Sequence, residues 1–308
     1  MKTLNIIGAG RVGRTLTALW FQRKVFAIQS VLNRTLAHAR DAVSFIGAGR
    51  AVAALPAMQP AGVWLLATPD GEIARTAASL ADSGLGLLRA GDVVFHCSGA
   101  MSASDLRTVV PRGVLVASVH PLKSFADPAE ALRTFTGTYC SAEGDAAALA
   151  VLKPAFEQIG ARVAVIDAQF KTVYHAASVM VCNYLTALME AGLQCYEKAG
   201  LPRDTATAMM APLVRETLDN VLRLGTVNAL TGPIARGDHA VVARQLQALR
   251  QFNPQLAEIY RVLGVTAVQL SRAQGGASAE SLTILEDVLK GALGRAEGSE
   301  RKHPFAVK

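Results

Sequence analysis

The sequence is poor in several things, and each shortage closes off a class of protein. Its four cysteines, Cys97, Cys140, Cys182 and Cys195, have no C-x-x-C spacing, and each sits among apolar residues. They read as buried free thiols of a reducing compartment, not as a disulfide frame. No cluster of histidine, cysteine and carboxylate has ligand spacing, so no metal is expected. No unbroken apolar run reaches the roughly 18 residues of a membrane span, and the few residues before the first strand leave no room for a signal peptide. The expected address is the cytoplasm, with no membrane partner. Aromatics make up 6%, and Lys and Arg nowhere form a block, although 31 basic against 24 acidic residues give a net charge of +7. A dispersed positive balance without a basic patch suits a small anionic ligand better than nucleic acid.

What is present is enough chain, 308 residues at 51% hydrophobic, for two domains with substantial cores. Short apolar strands are expected at 4–7, 25–32, 63–68, 92–97, 114–118, 138–141 and 162–166, alternating with helical stretches. That alternation predicts an α/β fold, a doubly wound and mostly parallel sheet. After residue 167 the periodicity becomes helical throughout, at 169–199, 203–224, 239–250, 254–270 and 279–292. The expected division is therefore a sheet domain at 1–167, an all-helical domain at 168–296, and a polar, frayed tail at 297–308.

The first strand ends in Ile6-Ile7-Gly8-Ala9-Gly10-Arg11-Val12-Gly13, a G-x-G-x-x-G turn followed by an amphipathic stretch. Strand, glycine turn and helix start together form the dinucleotide-binding fingerprint. Gly8 permits the turn, Gly10 admits a pyrophosphate to the helix N-terminus, and Gly13 lets helix and strand pack closely. NAD-preferring versions place a carboxylate about 20 residues on. Here the second strand ends in Asn33-Arg34-Thr35 instead. A guanidinium beside two small hydrogen-bonding side chains suits a 2′-phosphate, so NADP(H) is the expected cofactor, although Asn33 or Thr35 also fits as the cap of the next helix. The near-copy Ile46-Gly47-Ala48-Gly49-Arg50 follows a helical segment and lacks the third glycine, so it reads as a helix end.

Ligands of open α/β sheets sit beyond the carboxyl ends of the strands. The third expected strand ends in Thr68-Pro69-Asp70, the fourth in His96-Cys97-Ser98-Gly99, and the fifth in Ser118-Val119-His120-Pro121. On a continuous helix over 169–199, at about 100° per residue, Lys171, His175, Ser178, Asn183, Thr186 and Glu190 fall within roughly 140°. Such a stripe of mostly short polar groups suits a cleft better than a solvated face.

These segments, with Ser124-Phe125-Ala126-Asp127, Tyr174-His175-Ala176-Ala177 and Leu230-Thr-Gly-Pro-Ile-Ala-Arg-Gly-Asp238, resemble the Rossmann-like proteins that carry a DUF2520 C-terminal domain. The likeness covers nearly the whole chain. It implies an NADP-dependent oxidoreductase whose helical domain looks like those of ketopantoate reductase and 6-phosphogluconate dehydrogenase. Ser98 and His120 are placed like the serine and histidine of prephenate dehydrogenases, which meet the substrate near the nicotinamide. His175 and Asn183 are placed like the lysine and asparagine of ketopantoate reductase, which implies proton transfer by His175, or by Lys171 one turn earlier.

The expected function is hydride transfer between NADP(H) and a small carbonyl, hydroxy or imine compound bearing a carboxylate. Ser98 and His120 would polarise the reacting atom, His175 would move the proton, and Asn183 would bind substrate, with Arg236, Asp238 and Lys171 completing the substrate site. Gly8, Ala9, Gly10, Arg11, Val12, Gly13, Asn33, Arg34, Thr35, Thr68, Pro69, Ser98 and Gly99 would hold the cofactor. A proton donor of this kind would titrate near the free histidine value of about 6.5, shifted by burial or by charges nearby. The competing reading is an NADP-binding sensor or structural protein without turnover. Pairing of the helical domain into a homodimer is expected in either case.

Overall fold

The computed structural model describes residues 1–82 and 84–291. Its first residues set the pattern, because the apolar run becomes β1 (Thr3–Ile7) and the glycine turn feeds α1 (Arg11–Gln22). β2 (Ala27–Leu32), α2 (Leu36–Ile46), β3 (Arg50–Val52), β4 (Val63–Leu66) and α3 (Asp70–Leu80) follow. β5 (Val93–His96), α4 (Ser104–Arg107), β6 (Leu115–Pro121), α5 (Pro128–Arg133), β7 (Tyr139–Gly144), α6 (Ala146–Gln158) and β8 (Arg162–Val165) come next, before α7 (Lys171–Val181).

The eight strands form one sheet in the order β3-β2-β1-β4-β5-β6-β7-β8. Every pairing is parallel except that of β6 with β7. The doubly wound, mostly parallel sheet is thus as expected. β4 reads Val-Trp-Leu-Leu with all four residues buried, as a parallel strand covered on both faces requires. On one face Trp20 meets Phe26, Phe95 and Phe156 edge-on, and its indole N–H donates to the Ala155 carbonyl at 3.0 Å. A second core holds Trp64, Leu66, Ile73, Leu106 and Val116.

Three elements differ from expectation. β3 was not anticipated, being only three residues with Arg50 exposed, too short to show a period. Gly47 before it does cap α2 in the left-handed conformation, φ +81°. β6 runs to Pro121 rather than stopping at 118, because its antiparallel partner β7 pairs with residues 117–121 and draws His120 into the strand. The helix expected over 169–199 is broken at Cys182, φ −117° and ψ −67°, so α7 ends there and α8 (Asn183–Lys198) starts afresh. Of the four thiols expected to be buried, Cys140 is, Cys97 and Cys195 are half-buried, and Cys182 is exposed at this break.

The chain divides into two compact units, Met1–Tyr184 and Leu185–Lys308. α7 therefore belongs with the sheet, and not with a helical domain starting at residue 168. Within Ala168–Lys198 an 18-residue window has mean hydropathy 1.3, enough to cross a membrane by length and composition alone. The second unit contains helices only among its described residues: most of α8, then α9 (Arg203–Ala229), α10 (His239–Phe252), α11 (Pro254–Gln274) and α12 (Ala279–Lys290). Val242, Val268, Leu282, Leu285 and Leu289 join α10, α11 and α12. Leu193, Ala206 and Met210 join α8 and α9. The Asn253 side chain caps α11, accepting from Gln255 N–H at 2.9 Å, with Pro254 at the first helical position. The tail expected at 297–308 lies outside the described residues.

Gly13 shows what the α1–sheet contact demands. A Cβ there would lie 2.9 Å from the Ala67 Cβ and 3.0 Å from the Gly8 carbonyl oxygen. Gly13→Val is expected to destabilise the protein by about 1–3 kcal/mol, since overpacking must push α1 off the strand. Urea unfolding measures this, and an unchanged midpoint would show that the contact is not limiting.

Candidate functional site

β1 lies between β2 and β4, and at the carboxyl ends of these strands opens a cavity of about 1090 Å³. Its floor is the glycine turn, and the three glycines are there for different reasons. Gly8 has φ +87°, and a Cβ would meet the Thr68 nitrogen at 2.7 Å, so the backbone itself requires glycine. Gly13 is required by helix packing. Gly10 is required by neither, because its φ is −74° and nothing lies within 4 Å of where a Cβ would stand. It precedes α1 with no side-chain cap, so the space above this residue faces helix N–H groups that lack a capping partner. Ala9 lines the cavity, while Arg11 and Val12 form the first turn of α1.

Asn33 and Arg34 line the same cavity beyond β2, with Thr68 and Pro69 opposite beyond β4. Thr35 instead serves as the N-cap of α2, its hydroxyl accepting from His38 N–H at 3.2 Å. Asn33 Nδ2 donates to the His38 carbonyl at 2.9 Å, and His38 lines the cavity with Arg34. His38 was not anticipated, although its place three residues after a capping threonine could have signalled it.

A second polar group lies further along the sheet edge. β6 and β7 pair Ser118 with Glu143 and His120 with Ser141, so alternation puts all four side chains on one face. α7 covers that face. Lys171 Nζ donates to Ser118 Oγ and, at 2.9 Å, to Glu143 Oε1. One turn on, His175 Nδ1 rests against Gly99, where a Cβ would lie only 2.8 Å from His175 Cε1 and 2.9 Å from His120 Cε1. The two imidazole rings are 5.6 Å apart, edge to face, and the Tyr174 ring is 6.2 Å from His120. His120 Nδ1, His175 Nδ1, Ser141 Oγ and Tyr174 OH are buried without a hydrogen-bond partner, the Tyr174 hydroxyl leaning towards Ser141 without reaching bonding geometry. Four unsatisfied polar atoms on three elements mark a place prepared for water or a ligand.

The structure redistributes several expected roles. Ser98 Oγ donates to Asp70 Oδ2 at 2.8 Å and accepts from Ala100 N–H and Met101 N–H at 3.1 and 2.9 Å. One hydrogen and two lone pairs are a hydroxyl's whole capacity, so Ser98 ties the turn together and has nothing left for a substrate. Gly99 is covered by the two rings rather than lining the cavity beyond β1 and β4. Lys171 is 2% exposed and held by Glu143, which removes it from substrate contact. Asn183 is exposed at the start of α8, past the break that ends the expected stripe. Arg236 and Asp238 lie in the second unit, paired with each other at 3.0 Å. Asp70, Ser118, Glu143 and Tyr174 were not assigned from sequence, because each gains its meaning from a partner distant in the chain.

Burial holds two histidines neutral. His120 is pushed down to about 4 by burial, then by His175 and Lys171, against Asp70. His96 is likewise lowered to about 4, by burial and then Lys171. His120 is therefore unprotonated at neutral pH, shifted by burial well below the free histidine value of about 6.5. Burial also lowers the Lys171 ammonium and raises the Tyr174 phenol, with Glu143 and Ser141 respectively opposing.

Between pH 6.5 and 4 the unfolded chain protonates these two histidines while the folded chain does not. The unfolded state thus binds more protons, and stability falls as the pH falls through that window, by at most about 1.4 kcal/mol per pH unit for each ring. Above 6.5 neither contributes. His120→Gln should flatten the pH dependence of the urea midpoint between pH 7.5 and 4.5, and a variant as steep as the wild type would contradict the burial of that ring.

With this geometry in hand, similar proteins can be compared. A protein of Bacteroides fragilis provisionally named an NADP oxidoreductase superposes with a TM-score of 0.65 at 22% identity, over 89% of this chain and 97% of that one. A Thermotoga maritima protein gives 0.66 at 24% identity, over 94% and 100%. A pyrroline-5-carboxylate reductase of Coxiella burnetii gives 0.56 at 15% identity, over 90% and 99%. At such identities the likeness is one of fold. No curated protein matches the sequence. Residues 2–121 match the family described as Rossmann-like domain, and residues 138–267 match the domain of unknown function DUF2520, so the chain joins a Rossmann-like domain to a DUF2520 domain.

Proposed function

We propose that this protein is an oxidoreductase that uses NADP(H) to interconvert a small carbonyl or imine compound with its reduced form. The observation that carries the reading is the open space over Gly10 at the N-terminus of α1, in a cavity that also receives Arg34. The fold leaves that space without needing it, and a pyrophosphate on helix N–H groups would use it. Asn33, Arg34 and His38 stand where a 2′-phosphate would be held, with no carboxylate among them to repel it. The reductases among the similar folds support the same class.

The cofactor, when bound, supplies or receives the hydride. The chain's part is to orient the reacting carbon and to move a proton at the paired imidazoles. His120, unprotonated at neutral pH, suits accepting a proton or a hydrogen bond at Nδ1. His175, whose Nδ1 is equally unpartnered, is left as the donor in the reductive direction. Arg236, expected to meet an anionic substrate group, is paired with Asp238, and Lys171, expected in the substrate site, is paired with Glu143. The proposed substrate class is accordingly defined by its carbonyl, hydroxy or imine group alone.

α7 and the start of α8 also support the proposal of a homodimer. α7 turns Lys171 and His175 inward, while Val173, Met180, Val181 and Tyr184 are exposed, the reverse of a solvated helix. A second copy of the chain would cover this face. Light scattering at micromolar concentration should give twice the chain mass, and a monomer would refute it.

Calorimetric titration should show NADPH binding about 10-fold or more tighter than NADH, with Arg34→Ala removing most of the difference, as loss of a charged hydrogen bond predicts. Gly10→Val should abolish binding at an unchanged melting temperature. Equal affinity for the two cofactors, or binding retained by Gly10→Val, would sink the cofactor assignment. Tight NADPH binding without oxidation by any carbonyl or imine in a broad panel would leave a nucleotide-binding protein and no reductase.

A further inference from the structure

Lys171 and Glu143 form an ion pair at 2% and 3% exposure inside the first unit. Taking two charges out of water is costly, and a hydrophobic pair of similar volume often holds a fold as well or better. What an ion pair adds is direction. Glu143 Oε1 accepts from Lys171 and also from Ala103 N–H at 2.8 Å. Lys171 reaches Ser118 Oγ, whose own hydrogen goes to the Ser98 carbonyl at 3.3 Å. One connected set of hydrogen bonds therefore ties β6, β7, the first turn of α7 and the 98–103 turn together.

Each of these pieces carries part of the imidazole pair. His120 stands two residues beyond Ser118 on the same face of β6, His175 stands one helical turn beyond Lys171, and Gly99 follows Ser98. We propose that Lys171 is a positioning residue, clamped by Glu143 and Ser118 so that the first turn of α7 seats His175 against Gly99 and His120. A polar anchor suits this task because two directed hydrogen bonds, to acceptors on two different strands, fix the rotation of the helix about its axis, which apolar contact alone leaves loose. The ammonium also adds a fixed positive charge near the rings. The groups facing His120 are Asp70 at the start of α3, Ser141 on β7, and Lys171, Tyr174 and His175 on α7; burial is the largest cause of its low protonation, His175 the next, and Lys171 reinforces them against Asp70.

The inference rests on the proposed reductase only for its catalytic meaning; the placement itself can be tested without substrate or cofactor. Ring resonances of histidine-labelled protein would be followed from pH 3.5 to 8 in the wild type, Lys171→Met, the paired Lys171→Met/Glu143→Leu and the milder Ser118→Ala, with Leu152→Ala as a core cavity of comparable melting loss elsewhere in the unit. In the Lys171 variants the His120–His175 ring contact should be lost, and His120 should titrate above its value of about 4, part of the way to 6.5. Ser118→Ala should shift both signals in the same direction by less, and Leu152→Ala should leave both alone. Folded Lys171 variants that keep the ring contact and the low titration overturn the proposal, as does Leu152→Ala behaving like them. If neither Lys171 variant folds, Ser118→Ala decides, and unmoved rings there overturn it equally. Loss of NADPH binding in the wild type would instead remove the reductase reading and leave the ring result standing.

Discussion

A lysine ammonium enclosed at the edge of a sheet constrains everything near it, because it must find acceptors where there is no water. Lys171 finds them in Glu143 and Ser118, on two different strands. For both to be within reach, β6 and β7 must pair in one register and α7 must sit over their common face at one rotation. A slip of a single residue between the strands would send Ser118 and Glu143 to opposite faces and leave a charge unpaired in the interior. The register, the seating of α7 and the meeting of the two imidazoles are thus one constraint seen from three sides.

The antiparallel β6–β7 pairing is also the departure that separates this sheet from an all-parallel one. It extends β6 through His120, so that a histidine placed by sequence on a loose turn stands on a paired strand. Strands position side chains more rigidly than loops do, as the catalytic role proposed for His120 would require. The cavity at the ends of β1 and β4 is built by other means, from three glycines with three separate duties. The two regions share the carboxyl edge of one sheet, as open α/β folds arrange their sites.

Much of this was legible from local chemistry. The glycine turn, the βα alternation and the helical second half all follow from periodicity within windows of 10 to 20 residues, roughly the scale on which propensity acts. Asn33 and Arg34 lined the cavity as their place after β2 suggested, while Thr35 took the capping role that was its other reading. The helical stripe was legible only in part. Lys171, His175 and Ser178 are turned inward on α7, but the break at Cys182 separates them from Asn183, Thr186 and Glu190, and nothing in the periodicity announced it. β3 was too short to register at all.

By itself the sequence determined the order of elements, the nucleotide turn and the absence of a carboxylate beyond β2, since these depend on neighbours along the chain. Only the tertiary structure decided which polar groups remain free to act. Ser98 is taken up by Asp70 28 residues away, Lys171 by Glu143 at the same separation and by Ser118 53 residues away, whereas His120 and His175 keep unpartnered nitrogens. Hydrogen-bonding capacity is finite for each atom, and its partners are brought up by folding from distant segments. A side chain's availability is therefore a property of the packed structure, not of its place in a motif.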